Sequence, residues 1–139
     1  IYYGDEVGLG GGDDPMNRLP YPWPDHGGHP DLDMRKAVRA LVHLRRDHPV
    51  LARGDVGPPL HIDAHTVAVL RSLDDTRALV AWNNADTAQT LTIATPLPPG
   101  TALRGLHNTA DLRVDAQGRI TVTVPALAGV VLLARQAVH

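Results

Sequence analysis

The strongest constraint on this chain lies in its second half. There, short runs of β-branched and aliphatic residues recur roughly every ten residues, and each is cut off by a turn signal. Residues 66–73, 78–83, 88–95, 119–124 and 130–134 read as strands, with shorter runs at 60–62 and 102–106. Between them stand Asp74-Asp75-Thr76, Asn84-Ala85-Asp86, Pro98-Pro99-Gly100 and Asp115-Ala116-Gln117-Gly118. These residues bond their own backbone, supply positive φ or lack a backbone donor, so each cluster turns the chain. No helical period intervenes, and antiparallel pairing through hairpins follows. Ile120, Val122 and Val124 alternate with Thr121 and Thr123, which predicts one buried and one wet face. Val130-Val131-Leu132-Leu133 predicts burial on both, and Trp82, in the middle of an apolar run, is expected in the core. The expected fold is all-β, an antiparallel Greek-key β-sandwich.

Ahead of the strands the period is different. Met34, Ala37, Val38, Ala40, Leu41 and Leu44 recur with helical spacing from Asp33 onward, while Arg35, Lys36, Arg39, Arg45 and Arg46 take the other faces. Asp31 and Asp33 lie at the positive end of the helix dipole, the basic residues gather toward the negative end, and His48-Pro49 stops the helix. The basic residues predict a solvated or ion-paired face. Pro58-Pro59 reads as a break before the sandwich, which puts the domain division at 1–57 and 58–139.

Residues 1–31 hold seven of the 13 glycines and five of the 12 prolines, interleaved with acids and histidines. That is loop chemistry, and only Ile1-Tyr2-Tyr3 reads as strand. The chain has no initiator Met and opens inside an apolar run, which suggests a piece of something longer with any targeting signal upstream. The cytoplasm is the favoured compartment.

Several partner classes are excluded by composition. A net charge of −2 argues against nucleic acid, and no apolar run approaches the roughly 20 residues of a membrane span. There is no cysteine, hence no disulfide or thiolate metal site. His26 and His29, beside Asp25, have an i, i+3 spacing but no further ligand at a recognised interval, so no metal site is assigned. His43, His48, His61 and His65 read as surface residues. Asp5, Glu6, Asp13 and Asp14 are enough carboxylates for glycosidase chemistry, but acids in a glycine-rich loop equally serve turns and caps. Arg18, four residues after Asp14, suits either an ion pair or a clamp on a polar ligand. Trp23, between Pro22 and Pro24, suits a sugar-stacking platform or a hydrophobic plug.

The runs Ile1-Tyr2-Tyr3-Gly4-Asp5-Glu6-Val7-Gly8, Gly11-Gly12-Asp13-Asp14-Pro15-Met16-Asn17-Arg18 and Pro20-Tyr21-Pro22-Trp23 resemble the eighth barrel strand and following loop of glycoside hydrolase family 13, the α-amylase family. The likeness is strongest to its neopullulanase, cyclomaltodextrinase and maltogenic amylase branch. Residues 41–51, LVHLRRDHPVL, resemble the end of that family's last barrel helix, and the remainder its C-terminal sandwich. Leu19 stands where many members have a second Arg and Tyr21 where Met is common, which leaves α-glucosidases open beside neopullulanase-like enzymes.

The resemblance implies the last strand, loop and helix of a (β/α)8 barrel followed by a sandwich. It also implies an enzyme hydrolysing α-glucosidic bonds with retention. The catalytic acids of the family sit at the ends of barrel strands four, five and seven, all upstream, so no catalytic residue is assigned here and this stretch alone is expected to be inactive. Asp14 and Arg18 match the Asp-Pro-x-x-Arg positions that contact the non-reducing side of bound glucan, and are the substrate-binding residues it implies. The implied partner is an α-glucan or maltooligosaccharide, without nucleic acid, membrane or resident cofactor; calcium in the parent enzyme stays open. Apart from its seven partner strands, the segment 1–30 is expected to be disordered or rearranged. The rival readings for the sandwich are a starch-binding module, which exposed aromatics would signal, and a structural domain.

Overall fold

The computed structural model describes residues 4–135, so the expected strand at 1–3 lies outside the described residues. The chain divides into two compact units, 1–47 and 48–139.

In the first unit, three single 3-10 turns, Asp5–Val7, Met16–Arg18 and Pro24–His26, punctuate the glycine- and proline-rich segment. Helix α1, Leu32–Asp47, follows. Asp31 caps it: its Oδ1 accepts the backbone N–H of Met34 at 2.8 Å, satisfying one of the first-turn donors that have no partner inside a helix. The Asp31 N–H donates to the Val7 carbonyl at 3.0 Å, so the first turn and the start of the helix are joined through one buried apolar residue, Val7.

The second unit is the sandwich. A short helix α2, Pro49–Arg53, leads into β1 (Asp55–Ile62), β2 (Thr66–Leu73), β3 (Thr76–Asn83), β4 (Gln89–Ala94), β5 (Ala102–His107), β6 (Leu112–Arg113), β7 (Arg119–Val124) and β8 (Ala128–Arg135). The strands form a six-stranded sheet, β1-β2-β3-β8-β5-β6, and a two-stranded sheet, β4-β7. Every pairing is antiparallel. The last strand lies between the third and the fifth, the out-of-sequence neighbourhood of a Greek key.

The core is the space between the sheets. Leu70, Leu79, Ala81, Leu103, Val130 and Leu132 enter from the larger sheet, and Leu91, Ile93, Ile120, Val122 and Val124 from the smaller. Their period of two explains the outer face of β4-β7, where Thr90 meets Thr123 at 3.0 Å and Thr92 meets Thr121 at 3.3 Å between hydroxyls. Of the run expected to be buried on both faces, Val130, Val131 and Leu132 are buried on the central strand β8, while Leu133 is half-buried.

Three expectations need correction. Pro58 and Pro59 do not break the chain but lie within β1. A proline lacks the ladder donor, yet β1 is an edge strand with β2 as its sheet neighbour, and its register shifts on both sides of Pro59 absorb the mismatch. Pro49 does end α1, but it also opens α2, because a fixed φ and a missing N–H suit the first helical position. Helix α2 is held to the sheet by Arg71, whose guanidinium donates to the carbonyls of Val50 at 3.0 Å and Gly54 at 2.7 Å. Finally, Trp82 is not in the core. Leu79 and Ala81 take the inward positions of β3, which turns Trp82 outward and leaves it 47% exposed.

Candidate glucan-binding loop

The first unit brings the two residues singled out as substrate-binding into contact. The backbone between them is shaped by two short bonds, Met16 N–H to the Asp13 carbonyl at 2.7 Å and Arg18 N–H to the Pro15 carbonyl at 3.0 Å. That tight turn, entered through a cis Asp14-Pro15 peptide, puts residues 14 and 18 side by side. Arg18 Nε lies 3.2 Å from Asp14 Oδ1. The side chains are 66% and 61% exposed, so the ion pair is bathed in water, is worth at most about 1 kcal/mol to the fold, and is open to a ligand. A carboxylate offers acceptors and a guanidinium offers a fork of donors, which together suit the hydroxyls of a sugar.

Downstream in the same unit, Tyr21 and Trp23 meet with ring centroids 4.4 Å apart and planes tilted by 46°. Trp23 is more than half exposed, so it is not a plug; its ring and that of Tyr21 form an accessible aromatic corner. The 3-10 turn after it ends on Gly27, whose φ of 79° favours glycine. His26 and His29 are exposed, and His26 Nε2 stands 3.8 Å from Asp25 Oδ2. Among the described residues no group of three or more His, Cys, Asp or Glu side chains could hold a metal ion. Among them, too, no helix is long and apolar enough to cross a membrane. Asp5 and Glu6 belong to the first 3-10 turn, Asp5 exposed and Glu6 half-buried.

In the sandwich the densest polar cluster caps the β1–β2 hairpin. Asp63 accepts the backbone N–H groups of His65 and Thr66 at 2.8 and 2.7 Å and the Thr66 hydroxyl at 2.8 Å, and His61 Nε2 lies 3.0 Å away. These bonds, the His65 N–H first, hold the Asp63 carboxyl well below the usual carboxylate range. His61 also lies 2.9 Å from the Thr66 hydroxyl and is half-buried, so it is part of the hairpin's structure rather than the free surface group expected from its position. All three groups serve the turn, and the imidazole meets both oxygens through one nitrogen, which is not the relay that nucleophilic catalysis needs.

No family model matches the chain. Individual proteins do. It is 32% identical over 146 residues to an amylopullulanase from Thermoanaerobacterium saccharolyticum, a match covering 96% of this chain and 11% of that protein. It is 28% identical to neopullulanase 2 from Thermoactinomyces vulgaris, over 95% of this chain and 22% of the relative. The fold matches the crystal structure of an Anoxybacillus α-amylase with a TM-score of 0.81 and 26% identity, over 99% of this chain and 29% of that one. The chain thus spans about a tenth to a third of the proteins it resembles. In sequence along nearly its whole length, and in fold, the chain resembles a stretch of the C-terminal region of enzymes of the α-amylase family, glycoside hydrolase family 13.

Proposed function

We propose that this chain is the C-terminal portion of a retaining α-glucan hydrolase, with the first unit closing the catalytic barrel and the second, which contains the whole of β1, forming its sandwich. Loops after the strands of a (β/α)8 barrel build its active-site face, and the segment from Gly4 to Pro30 would be the loop after the last strand. Asp14 and Arg18 orient the non-reducing side of a bound glucan there. Carboxylates outside this chain break the bond, one as a nucleophile that forms a glycosyl-enzyme and one as acid and then base. The sandwich is structural in this account. The reading is carried by the exposed Asp14–Arg18 pair, a carboxylate and a guanidinium 3.2 Å apart in a segment whose likeness to glucan-acting enzymes continues on both sides.

The role of the pair is tested by Arg18→Ala in the full-length enzyme. KM for maltooligosaccharides should rise by about tenfold, the worth of one charge-assisted hydrogen bond, with kcat little changed. Short activated glucosides, which do not reach the pair, should be less affected. Unchanged kinetics on both substrates would remove Arg18 from the site.

A further inference from the structure

Leu19, Tyr21 and Trp23 each precede a proline, at positions 20, 22 and 24. A proline fixes its own φ and pushes the residue before it out of the helical region, so residues 19–23 form a stiff, extended stretch. Leu19 at φ −64°, ψ 145° and Trp23 at φ −63°, ψ 129° have that conformation. The stretch is also tied down. The Trp23 N–H donates to the Tyr21 carbonyl at 2.8 Å, a tight turn about Pro22, and the Trp23 carbonyl accepts the N–H groups of Gly28 at 2.9 Å and His26 at 3.0 Å. Gly28 lies directly on Pro22: a Cβ at position 28 would stand 2.6 Å from the Pro22 Cα, a gap no side chain permits. Both backbone polar groups of Trp23 are therefore engaged, and the base of its side chain is placed before any ligand arrives.

The corner it makes with Tyr21 is aromatic and carries no permanent positive charge. Trp23 is exposed, Tyr21 is half-buried, and the tilt between their rings gives a ligand on one ring the other beside it. No Lys or Arg stands between Leu19 and Leu32, so nothing in this stretch offers a phosphate or an acidic peptide a permanent counter-charge. A pyranose ring suits the corner, with its C–H face on the indole and its hydroxyls in water or on the phenol. The distance to the Asp14–Arg18 pair is bounded by the chain itself. Trp23 follows Arg18 by five residues, which even fully extended span at most about 18 Å. A glucan seated on the pair therefore has the indole within the length of a few sugar units.

We infer that Trp23, with Tyr21 at an angle to it, is a specificity-determining residue for chain length. It stacks on a glucosyl unit beyond the one that Asp14 and Arg18 hold, and the added binding favours long α-glucans over short ones. The inference rests on the proposed function above, which supplies the α-glucan.

Steady-state kinetics of the full-length enzyme on maltoheptaose and maltotriose test it. In Trp23→Ala the ratio of kcat/KM for maltoheptaose to that for maltotriose should fall about tenfold; Trp23→Phe, which keeps a flat ring, should hold that ratio within about threefold of the unaltered enzyme. A ring that only shaped the loop would lower both constants together. An unchanged ratio in Trp23→Ala, or a ratio in Trp23→Phe as low as in Trp23→Ala, would overturn the role of the ring and leave the hydrolase reading intact. An unaltered enzyme inactive on both oligosaccharides would overturn that reading and this inference with it.

Discussion

Leu79→Ala is expected to lower the stability of the sandwich by about 3 kcal/mol, and its melting temperature by roughly 10–20 °C. Leu79 is fully buried at the centre of the larger sheet, where β3 pairs with β2 on one side and β8 on the other. Its facing partners come from both sheets, so the backbone around it is pinned by hydrogen bonds on two sides and cannot collapse into the space a deleted isobutyl group leaves. Thermal or urea unfolding followed by circular dichroism measures the effect. Thr92→Ala, on the wet face of β4, should stay within about 0.5 kcal/mol of the parent in the same experiment. A loss below about 1 kcal/mol for Leu79→Ala would mean that the core is not organised around β3.

The second large effect is expected at Asn83. It is one of two buried polar residues in the described chain, and its side chain joins three segments. Nδ2 donates to the carbonyls of Thr87 at 2.8 Å, Pro125 at 3.0 Å and Val124 at 3.2 Å, and Oδ1 accepts the Ala85 N–H at 2.9 Å. Two amide hydrogens are thus shared among three carbonyls, and the turn leaving β3 is tied to the end of β7. Asn83→Ala removes all of these and strands buried groups, at a cost of about 3 kcal/mol. Asn83→Asp sharpens the test, because it preserves volume and the Oδ1 acceptor but aims a carboxylate at three carbonyl oxygens. At neutral pH the Asp variant should be at least as unstable as the Ala variant. If the side chain only filled space, Asp would be the milder change, and that order of stabilities would contradict the role of the amide.

How much of this was legible beforehand differs from strand to strand. Residues 119–124 were expected as a strand and are β7, because Ile120, Val122 and Val124 alternate with Arg119, Thr121 and Thr123 and so agree in propensity and burial. Trp82 was misplaced for the opposite reason. In Ala78-Leu79-Val80-Ala81 no polar residue marks a face, since β3 is covered on both sides over those positions, and period two cannot say which way the next residue points. The strand through Pro58 and Pro59 was hidden because proline is a breaker in a central strand and harmless at an edge, and edge status is a tertiary fact. β6 has only two residues, too few for any pattern.

The candidate site shows the same division. The i, i+4 spacing of Asp14 and Arg18 made their pairing foreseeable, and the 3-10 turn delivers it. What the pair would hold comes from the family likeness, since an exposed ion pair has no chemistry that names its ligand. The pairing of Trp82 with Gly129 lay beyond local reading altogether, because 47 positions of chain separate the two residues that β3 and β8 place in register.

The central claim is that this chain completes a retaining α-glucan hydrolase. The most direct measurement is the anomeric form of the first product released from maltooligosaccharide by the full-length protein, read by NMR before mutarotation. The account predicts the α-anomer, with no release by the 139-residue chain alone. A β-anomer, or no hydrolysis of any α-glucan by the full-length protein, would contradict it.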